Sequence, residues 1–435
     1  MIANLFTYAK ASIVQSIMIR YNLIAVLIIT TNWLQCTESF SYSSMSSSMS
    51  SSTSSSMSSS MSSSTSVAQW HIDRRRKLLD PKLNTPENIY QLRQLSKQHS
   101  ARVGAPLLLL SNVGLLSMSI LCHSLPLPQL FFLAATFGST MSLWQLQILH
   151  DACHNTLFKS AKNNERALKY CSLPSIFGYF LYLRFGHLSH HQNVGTVQGS
   201  NELFTSSQEN FEDGDVLFTT HRLKLAGGGE AGPKINNFSA SISNAFFKLW
   251  QHKSPIRNSI AFASSFLLER VMLSINDFAV AITGKNSFFP NKPDHFHAVA
   301  SSNIRLQVLL RISLLVVCGY KSLLFLFLSE TLWSLPPHPI AAMFISNHYT
   351  TPDDDSDSNP TKSTYVGKWY DFLTANTNYH CEHHDFPTIP FHQLHKVRTL
   401  QPPNNQQNLY KTERDDSLVK IMLKMMSSPT KIYAR

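Results

Sequence analysis

The chain has 435 residues, of which 43% are apolar and 14% charged, and its formal net charge is +11. This length allows one large domain or two smaller ones, and the positive charge is typical of proteins whose loops face an anionic membrane surface. No basic helix interleaved with aromatic residues is found, which argues against nucleic-acid binding. The six cysteines form no C-x-x-C pair, which excludes a disulfide framework and a zinc finger.

The first 66 residues differ in composition from the rest of the chain. Residues 1–40 contain a short apolar run that resembles part of a signal or anchor segment, without a clear cleavage site. The alternative is a dispensable extension before a later start. Residues 41–66 are mostly serine and predict a disordered linker. We expect the functional domain in residues 67–412, followed by a polar tail in residues 413–435.

Four apolar regions predict the architecture of that domain. Residues 105–122 and 129–149 carry no charge over about the length of a membrane span and predict a helical hairpin. Residues 305–333 predict a further span, and residues 259–283 either a tilted span or interfacial helices. Before them, residues 67–97 predict an amphipathic helix on the membrane surface or, alternatively, a solvated helix. The predicted fold class is an all-α integral membrane protein with about four transmembrane helices.

Three groups of histidines carry the candidate chemistry. Each group has spacing that places its members on one face of a helix. The members are His150 and His154; His187, His190 and His191; and His380, His383 and His384. Eight convergent neutral imidazoles suit a transition metal and are enough for two ions. The first group follows directly after residues 129–149, so we expect the site at the end of a membrane helix. The polar neighbours that we expect to orient the imidazoles are Asp151, Asn155, Gln192, Asn193, Glu382 and Asp385.

These groups resemble the three histidine boxes of membrane fatty acyl desaturases. The matching stretches read H-D-A-C-H-N, G-H-L-S-H-H and N-Y-H-C-E-H-H-D-F-P. The third, continued by T-I-P, is similar to that of the sphingolipid Δ4-desaturases, also called dihydroceramide desaturases. W-H-x-x-R-R-R at Trp70 and H-P-I-A-A-M-F-I-S-N-H-Y at His338 are similar too. The resemblance covers residues 68–412, with a poor match over residues 196–304.

The resemblance implies a function and a site. The eight box histidines are implied to hold two Fe ions in a cap on the cytosolic side of a multi-pass protein of the endoplasmic reticulum. The implied reaction introduces a trans C4–C5 double bond into dihydroceramide, giving ceramide, and consumes O2. Structurally known acyl desaturases use an additional histidine before the third box, which implies His348 as a ninth ligand. The other interpretation of His348 is an interfacial residue at a helix end.

The implied reaction also needs a source of electrons. The sequence contains neither H-P-G-G nor a G-x-G-x-x-G after a strand, so we expect electrons from a separate cytochrome b5 and its NADH-dependent reductase.

The alternative functions within the same chemistry are a C4-hydroxylase, a bifunctional enzyme or another acyl-lipid desaturase. An alternative of a different class is a metal-binding membrane scaffold or transporter. The remaining histidines without box spacing, expected to be structural, are His338, His392 and His395.

Overall fold

A computed structural model describes residues 67–176, part of 179–191, 274–286, 293–335, 338–346 and 363–402, with Thr361, Tyr410 and a few isolated positions before residue 274. The predictions for residues 1–66 and 413–435 concern segments outside these ranges, and so do those for His190 and His348.

All regular secondary structure in the described residues is helical. The α-helices are α1 (Val67–Leu79), α2 (Pro86–Leu95), α3 (Ala101–Leu121), α4 (Leu127–Leu133), α5 (Ser139–Cys153), α6 (Ala161–Cys171), α7 (Asp294–Cys318), α8 (Tyr320–Leu332), α9 (Pro339–Ser346), α10 (Lys368–Leu373), α11 (His380–Asp385) and α12 (Leu394–Val397). A π-helical segment, Ala134–Gly138, joins α4 to α5, and residues 179–181 and 274–283 are also helical. Short 3-10 turns are formed by Cys122–Ser124, Phe391–Gln393 and Arg398–Leu400.

The predicted hairpin is present. Helix α3 ends in the Cys122–Ser124 turn, and α4, the π-helical segment and α5 then form one uninterrupted helical run that returns against α3. Among the described helices, those long and apolar enough to cross a membrane are Ala101–Ser124 and Asp294–Cys318. The structure therefore supports a helical protein with two candidate spans, and a total of about four spans stays a prediction.

The third predicted span begins earlier than expected and is interrupted. Helix α7 starts at Asp294, directly after Pro293, because proline favours the first turn of a helix and interrupts any helix that would run through it. Gly319 has a φ of 77° and separates α7 from α8. Left-handed backbone costs glycine little, so the chain turns there. The apolar run predicted as residues 305–333 is therefore two helices.

Helix α5 lies at the centre of the protein. Every residue of α5 except Thr140 is buried, and helices α3, α6 and α8 pack around it. Its approach to α8 depends on Gly138, where a Cβ atom would lie only 2.8 Å from the Cβ of Ser329. This packing places the carboxyl end of α5, which carries His150, inside the protein rather than on its surface.

Helix α1 differs from its predicted environment. His71, Arg74 and Leu78 are buried, and at this spacing they share one face of the helix. That face packs against α11, which contains the third histidine box. His71, Arg74 and Leu78 are thus directed to protein, whereas the sequence favoured a helix that lies on the membrane surface.

Candidate metal centre

Five histidines from all three boxes converge at one point. Their ligand nitrogens all lie within 4.8 Å of one another. The five are His150, His154, His187, His191 and His383. His187 is central, because its Nε2 lies 2.7 Å from Nε2 of His150 and 3.0 Å from those of His154 and His191. The third box joins through His383, whose Nε2 lies 2.9 Å from that of His191.

The other two described box histidines form a second set beside the first. Nε2 of His384 lies 3.0 Å from Nε2 of His380, one helical turn earlier on α11. The imidazole ring of His384 also lies against the ring of His191, with centroids 4.2 Å apart. The seven described box histidines therefore form one continuous group with two centres of convergence.

This arrangement fits a metal better than a network of hydrogen bonds. A ring nitrogen carries at most one proton, yet Nε2 of His187 has three imidazole nitrogens within 3.0 Å. Two nitrogens that bind one ion at about 2.1 Å and at right angles are about 3.0 Å apart. The spacing is thus that of ligands around a shared cation.

Burial keeps two of these imidazoles, His154 and His383, in the form that binds metal. Burial lowers the pKa of His154 to about 3. Burial and the neighbouring histidines, His150 first among them, hold the pKa of His383 well below its usual range. Neutral imidazole is the metal-binding form, so no proton has to be displaced near neutral pH.

Local folding explains how the boxes reach this position. His150 lies in the last turn of α5, and His154 caps that helix. His187 and His191 are four residues apart and both helical, which brings their nitrogens together. Helix α11 begins at His380, so all three histidines of the third box lie within its six residues.

The carboxylates beside the boxes bind other partners than expected. The carboxylate of Asp151 accepts hydrogen bonds from the backbone N–H of Phe391, at 3.2 and 3.3 Å. The carboxylate of Glu382 accepts one from the hydroxyl of Ser363, at 2.6 Å, and another from that of Tyr365. Rather than orienting box imidazoles, both carboxylates tie the helices that carry the boxes to neighbouring loops.

Asp385 accepts hydrogen bonds from residues that the sequence analysis did not assign to the site. Its carboxylate is fully buried and faces His71 and Arg74 of α1 and the hydroxyl of Tyr410. Burial alone would raise the pKa of Asp385, but these three partners, Arg74 foremost, hold it below its usual value. The signal that could have identified this contact is W-H-x-x-R-R-R, in which His71 and Arg74 share a helix face.

His338 was predicted to have a structural role, and two cysteines lie within the boxes. His338 lies apart from the cluster, and its Nε2 contacts the carbonyl oxygen of Ala135 at 2.9 Å, in keeping with a structural role. Cys153 and Cys381, which lie within the first and third boxes, are buried free thiols, and Cys153 donates to the carbonyl of Leu183.

Fold and site together define a helical protein with a polyhistidine metal centre at the end of a buried helix. The model of the fatty acid desaturase family matches residues 124–410. The chain belongs to the fatty acid desaturase family.

Several curated relatives of this chain are named sphingolipid delta(4)-desaturases. A sphingolipid delta(4)-desaturase DES1-like protein of Oryza sativa subsp. japonica is 39% identical over 104 residues, which are 23% of this chain and 29% of the relative. A putative sphingolipid delta(4)-desaturase/C4-monooxygenase of Caenorhabditis elegans is 35% identical over 133 residues, 31% of this chain and 34% of the relative. The sphingolipid delta(4)-desaturase/C4-monooxygenase DES2 of Rattus norvegicus is 25% identical over 275 residues, 63% of this chain and 66% of the relative.

The chain thus matches about a third of the rice and nematode proteins and 66% of the rat protein. No solved structure matches it significantly.

Proposed function

We propose that this protein is a sphingolipid Δ4-desaturase that introduces a trans C4–C5 double bond into the sphingoid base of dihydroceramide and produces ceramide. The observation that carries the proposal is the convergence of histidines from three boxes in a chain of the fatty acid desaturase family. The substrate class is taken from relatives named sphingolipid delta(4)-desaturases.

The proposed cofactor is a pair of Fe ions. His150, His154, His187, His191 and His383 would hold one ion, and His380 and His384 would hold part of the second. His190 and His348 are proposed as further ligands. When bound, iron supplies the redox chemistry by which O2 removes hydrogen from an unactivated C–H bond, chemistry that zinc lacks.

The residues of this chain orient the metal ligands and bury them away from water. Burial lowers the pKa of His154 and His383, which favours their neutral form, so a bound metal would meet these two ligands already deprotonated. Asp151 and Glu382 fix the backbone around the first and third boxes through the hydrogen bonds described above.

Electrons are proposed to come from a separate cytochrome b5 and its NADH-dependent reductase. Arg76 and Lys77 are exposed at the end of α1, and Lys396 is exposed on α12. Both helices pack against α11. An acidic electron donor would meet these cations close to the metal centre, and long-range attraction of this kind increases association rates. We further propose a multi-pass location in the endoplasmic reticulum membrane, with the boxes facing the cytosol.

A second outcome of the same chemistry is C4-hydroxylation. The nematode and rat relatives are named delta(4)-desaturase/C4-monooxygenases. Both reactions begin with removal of a hydrogen from the sphingoid chain. Desaturation then removes a second hydrogen, whereas hydroxylation adds an oxygen atom at the first position. A scaffold or transporter without redox activity is less well supported, because the described box histidines lie outside both candidate spans, whereas a transporter carries such residues within them.

Expression in a host that lacks sphingolipid Δ4-desaturation, followed by mass spectrometry of the long-chain bases, tests the proposal. We expect a product two hydrogens lighter than the substrate in cells with the wild-type chain. A product one oxygen heavier would establish the hydroxylase instead. Unchanged long-chain bases, in cells where the protein is present and contains iron, would contradict both.

A further inference from the structure

Asp385, directly after the third box, receives three side chains from distant parts of the chain. Nδ1 of His71 lies 2.6 Å from Oδ1, and Nε of Arg74 lies 3.1 Å from Oδ2. The hydroxyl of Tyr410 donates to Oδ2 at 2.7 Å. Both oxygens of a fully buried carboxylate are therefore occupied, as a buried charge requires.

The cation in this network is itself in contact with two aromatic rings. The guanidinium carbon of Arg74 lies 4.3 Å from the ring centroid of Trp70 and 4.6 Å from that of Tyr410. Contact with two aromatic rings restricts the guanidinium, whose Nε–H donates to Asp385. The motif W-H-x-x-R thus contributes three adjoining side chains to one contact with α11.

His71 also touches a box histidine directly. Its ring stacks on the ring of His384, with centroids 4.9 Å apart and planes inclined by 27°. Its two nitrogens are engaged elsewhere, Nδ1 with Asp385 and Nε2 with the hydroxyl of Thr361 at 2.7 Å. The ring of His71 is therefore fixed by two hydrogen bonds and presents a flat face to His384.

His71, Cys381 and Asp385 could themselves be taken for a metal site, since their ligand atoms lie within 4.8 Å of one another. Arg74 argues against this, because its positive charge already neutralises Asp385 from within hydrogen-bonding distance. With both nitrogens of His71 bonded, the group is better explained as a support for the neighbouring centre.

We infer that His71 and Arg74 are positioning residues, which fix His384 through ring stacking and through Asp385 at the end of α11. The inference rests on the metal centre of the proposed function but not on the identity of the lipid. Both residues precede residue 124, where the family match begins, so helix α1 adds to the site from outside the matched region. Side chains that orient metal ligands typically change metal affinity or activity by about 10–100-fold when altered.

The test uses the full chain, purified in detergent and titrated with Co²⁺ alone, whose visible absorption reports the geometry of its ligands. His71→Gln retains polar groups toward Asp385 and Thr361 but removes the ring that faces His384. We expect Co²⁺ affinity to fall about 10–100-fold, with an altered spectrum, while the helical circular dichroism is unchanged. Arg76→Met is the matched control, since Arg76 is exposed on the same helix and its guanidinium pairs with the neighbouring Asp73.

A second pair of variants guards against loss of folding. Arg74→Met leaves a buried carboxylate unpaired and is expected to destabilise the protein, whereas Arg74→Lys keeps the charge and should recover part of the Co²⁺ affinity. In the double variant Arg74→Met/Asp385→Asn the unpaired charge is removed, so folding should return while the altered Co²⁺ spectrum persists.

The inference is overturned if His71→Gln, or the folded double variant, binds Co²⁺ with wild-type affinity and spectrum. Because this measurement requires no substrate, it separates the inference from the proposed reaction. A wild-type chain that makes no sphingolipid product, but whose His71→Gln variant has an altered Co²⁺ spectrum, would contradict the reaction and support the positioning role.

Discussion

Arg311 and Asp277 form a buried ion pair in which Nη1 lies 2.8 Å from Oδ2. Arg311 belongs to α7, one of the two helices long and apolar enough to cross a membrane. Its second terminal nitrogen donates to the carbonyl oxygen of Ile176 at 2.9 Å. Charges in such a helix are costly unless they are paired, so this contact indicates that α7 holds the segment that leads to the second histidine box.

The first prediction concerns this pair. Arg311→Met leaves the Asp277 carboxylate buried without its partner, and we expect a loss of about 3–5 kcal/mol in the free energy of unfolding. Urea unfolding in detergent, followed by circular dichroism, measures the change. Arg305→Met is the control, because Arg305 is exposed on the same helix, and its expected effect is within about 1 kcal/mol. Equal stability of the two variants would contradict the structural role of the pair.

The second prediction concerns the close packing of α5 and α8. Gly138→Ala would place a Cβ 2.8 Å from the Cβ of Ser329 and 3.0 Å from Cζ of Phe325. Overpacking of this kind costs about 1–3 kcal/mol, so the thermal midpoint should fall. Adding Ser329→Gly removes the nearest clash and should restore part of the loss, although glycine costs about 1 kcal/mol in a helix. If Gly138→Ala alone has the wild-type thermal midpoint, the two helices can move apart enough to accommodate the added methyl group, and the prediction is wrong.

The third prediction concerns acid sensitivity after treatment with a chelator. The pKa of His154 is about 3 in the folded protein, and an unfolded histidine has a pKa of about 6.5. Because the folded pKa is the lower one, the unfolded chain binds more protons between these values. Stability is therefore complete above about pH 6.5 and is lost as the pH falls toward the folded pKa.

Thermal melting between about pH 7 and pH 5 checks this expectation. The midpoint of the metal-free protein should fall with pH, and less steeply in His154→Gln. The exposed His123 is the control, since His123→Gln should retain the wild-type dependence. A midpoint independent of pH would mean that the folded protein accommodates the charged imidazole.

Several of these features were predictable from the sequence because they depend on neighbours along the chain. The spacing of His380, His383 and His384 places them on one helical turn, and they lie in α11 as expected. The uncharged run in residues 105–122 is helical and is followed by the expected turn. Local periodicity determines both features, so a single sequence contains the necessary information.

Other features depend on contacts between distant residues. The partners of Asp385 include His71, 314 positions away in the chain. Asp385 and Glu382 were expected to orient box imidazoles. Their polarity alone does not show whether their partners are those imidazoles, the residues of α1 or the loop at Ser363. Likewise, the convergence of His187 with His150 and His154 follows from the packing of α5; the spacing of the histidines predicted that the groups converge but not which nitrogens meet.

The last prediction concerns His383, which links the third box to the other two. Its ring centroid lies 4.3 Å from that of His150 and 4.8 Å from that of His154, and its Nε2 lies 2.9 Å from that of His191. His383→Ala removes a ligand that contacts both other boxes, so we expect loss of bound iron and of all product. Iron per protein chain and mass spectrometry of long-chain bases measure the two effects. The exposed His123 again supplies the control, because His123→Ala removes an imidazole far from the boxes in sequence and should leave both unchanged. Wild-type turnover in His383→Ala would show that the convergent histidines are not the ligands of a catalytic metal.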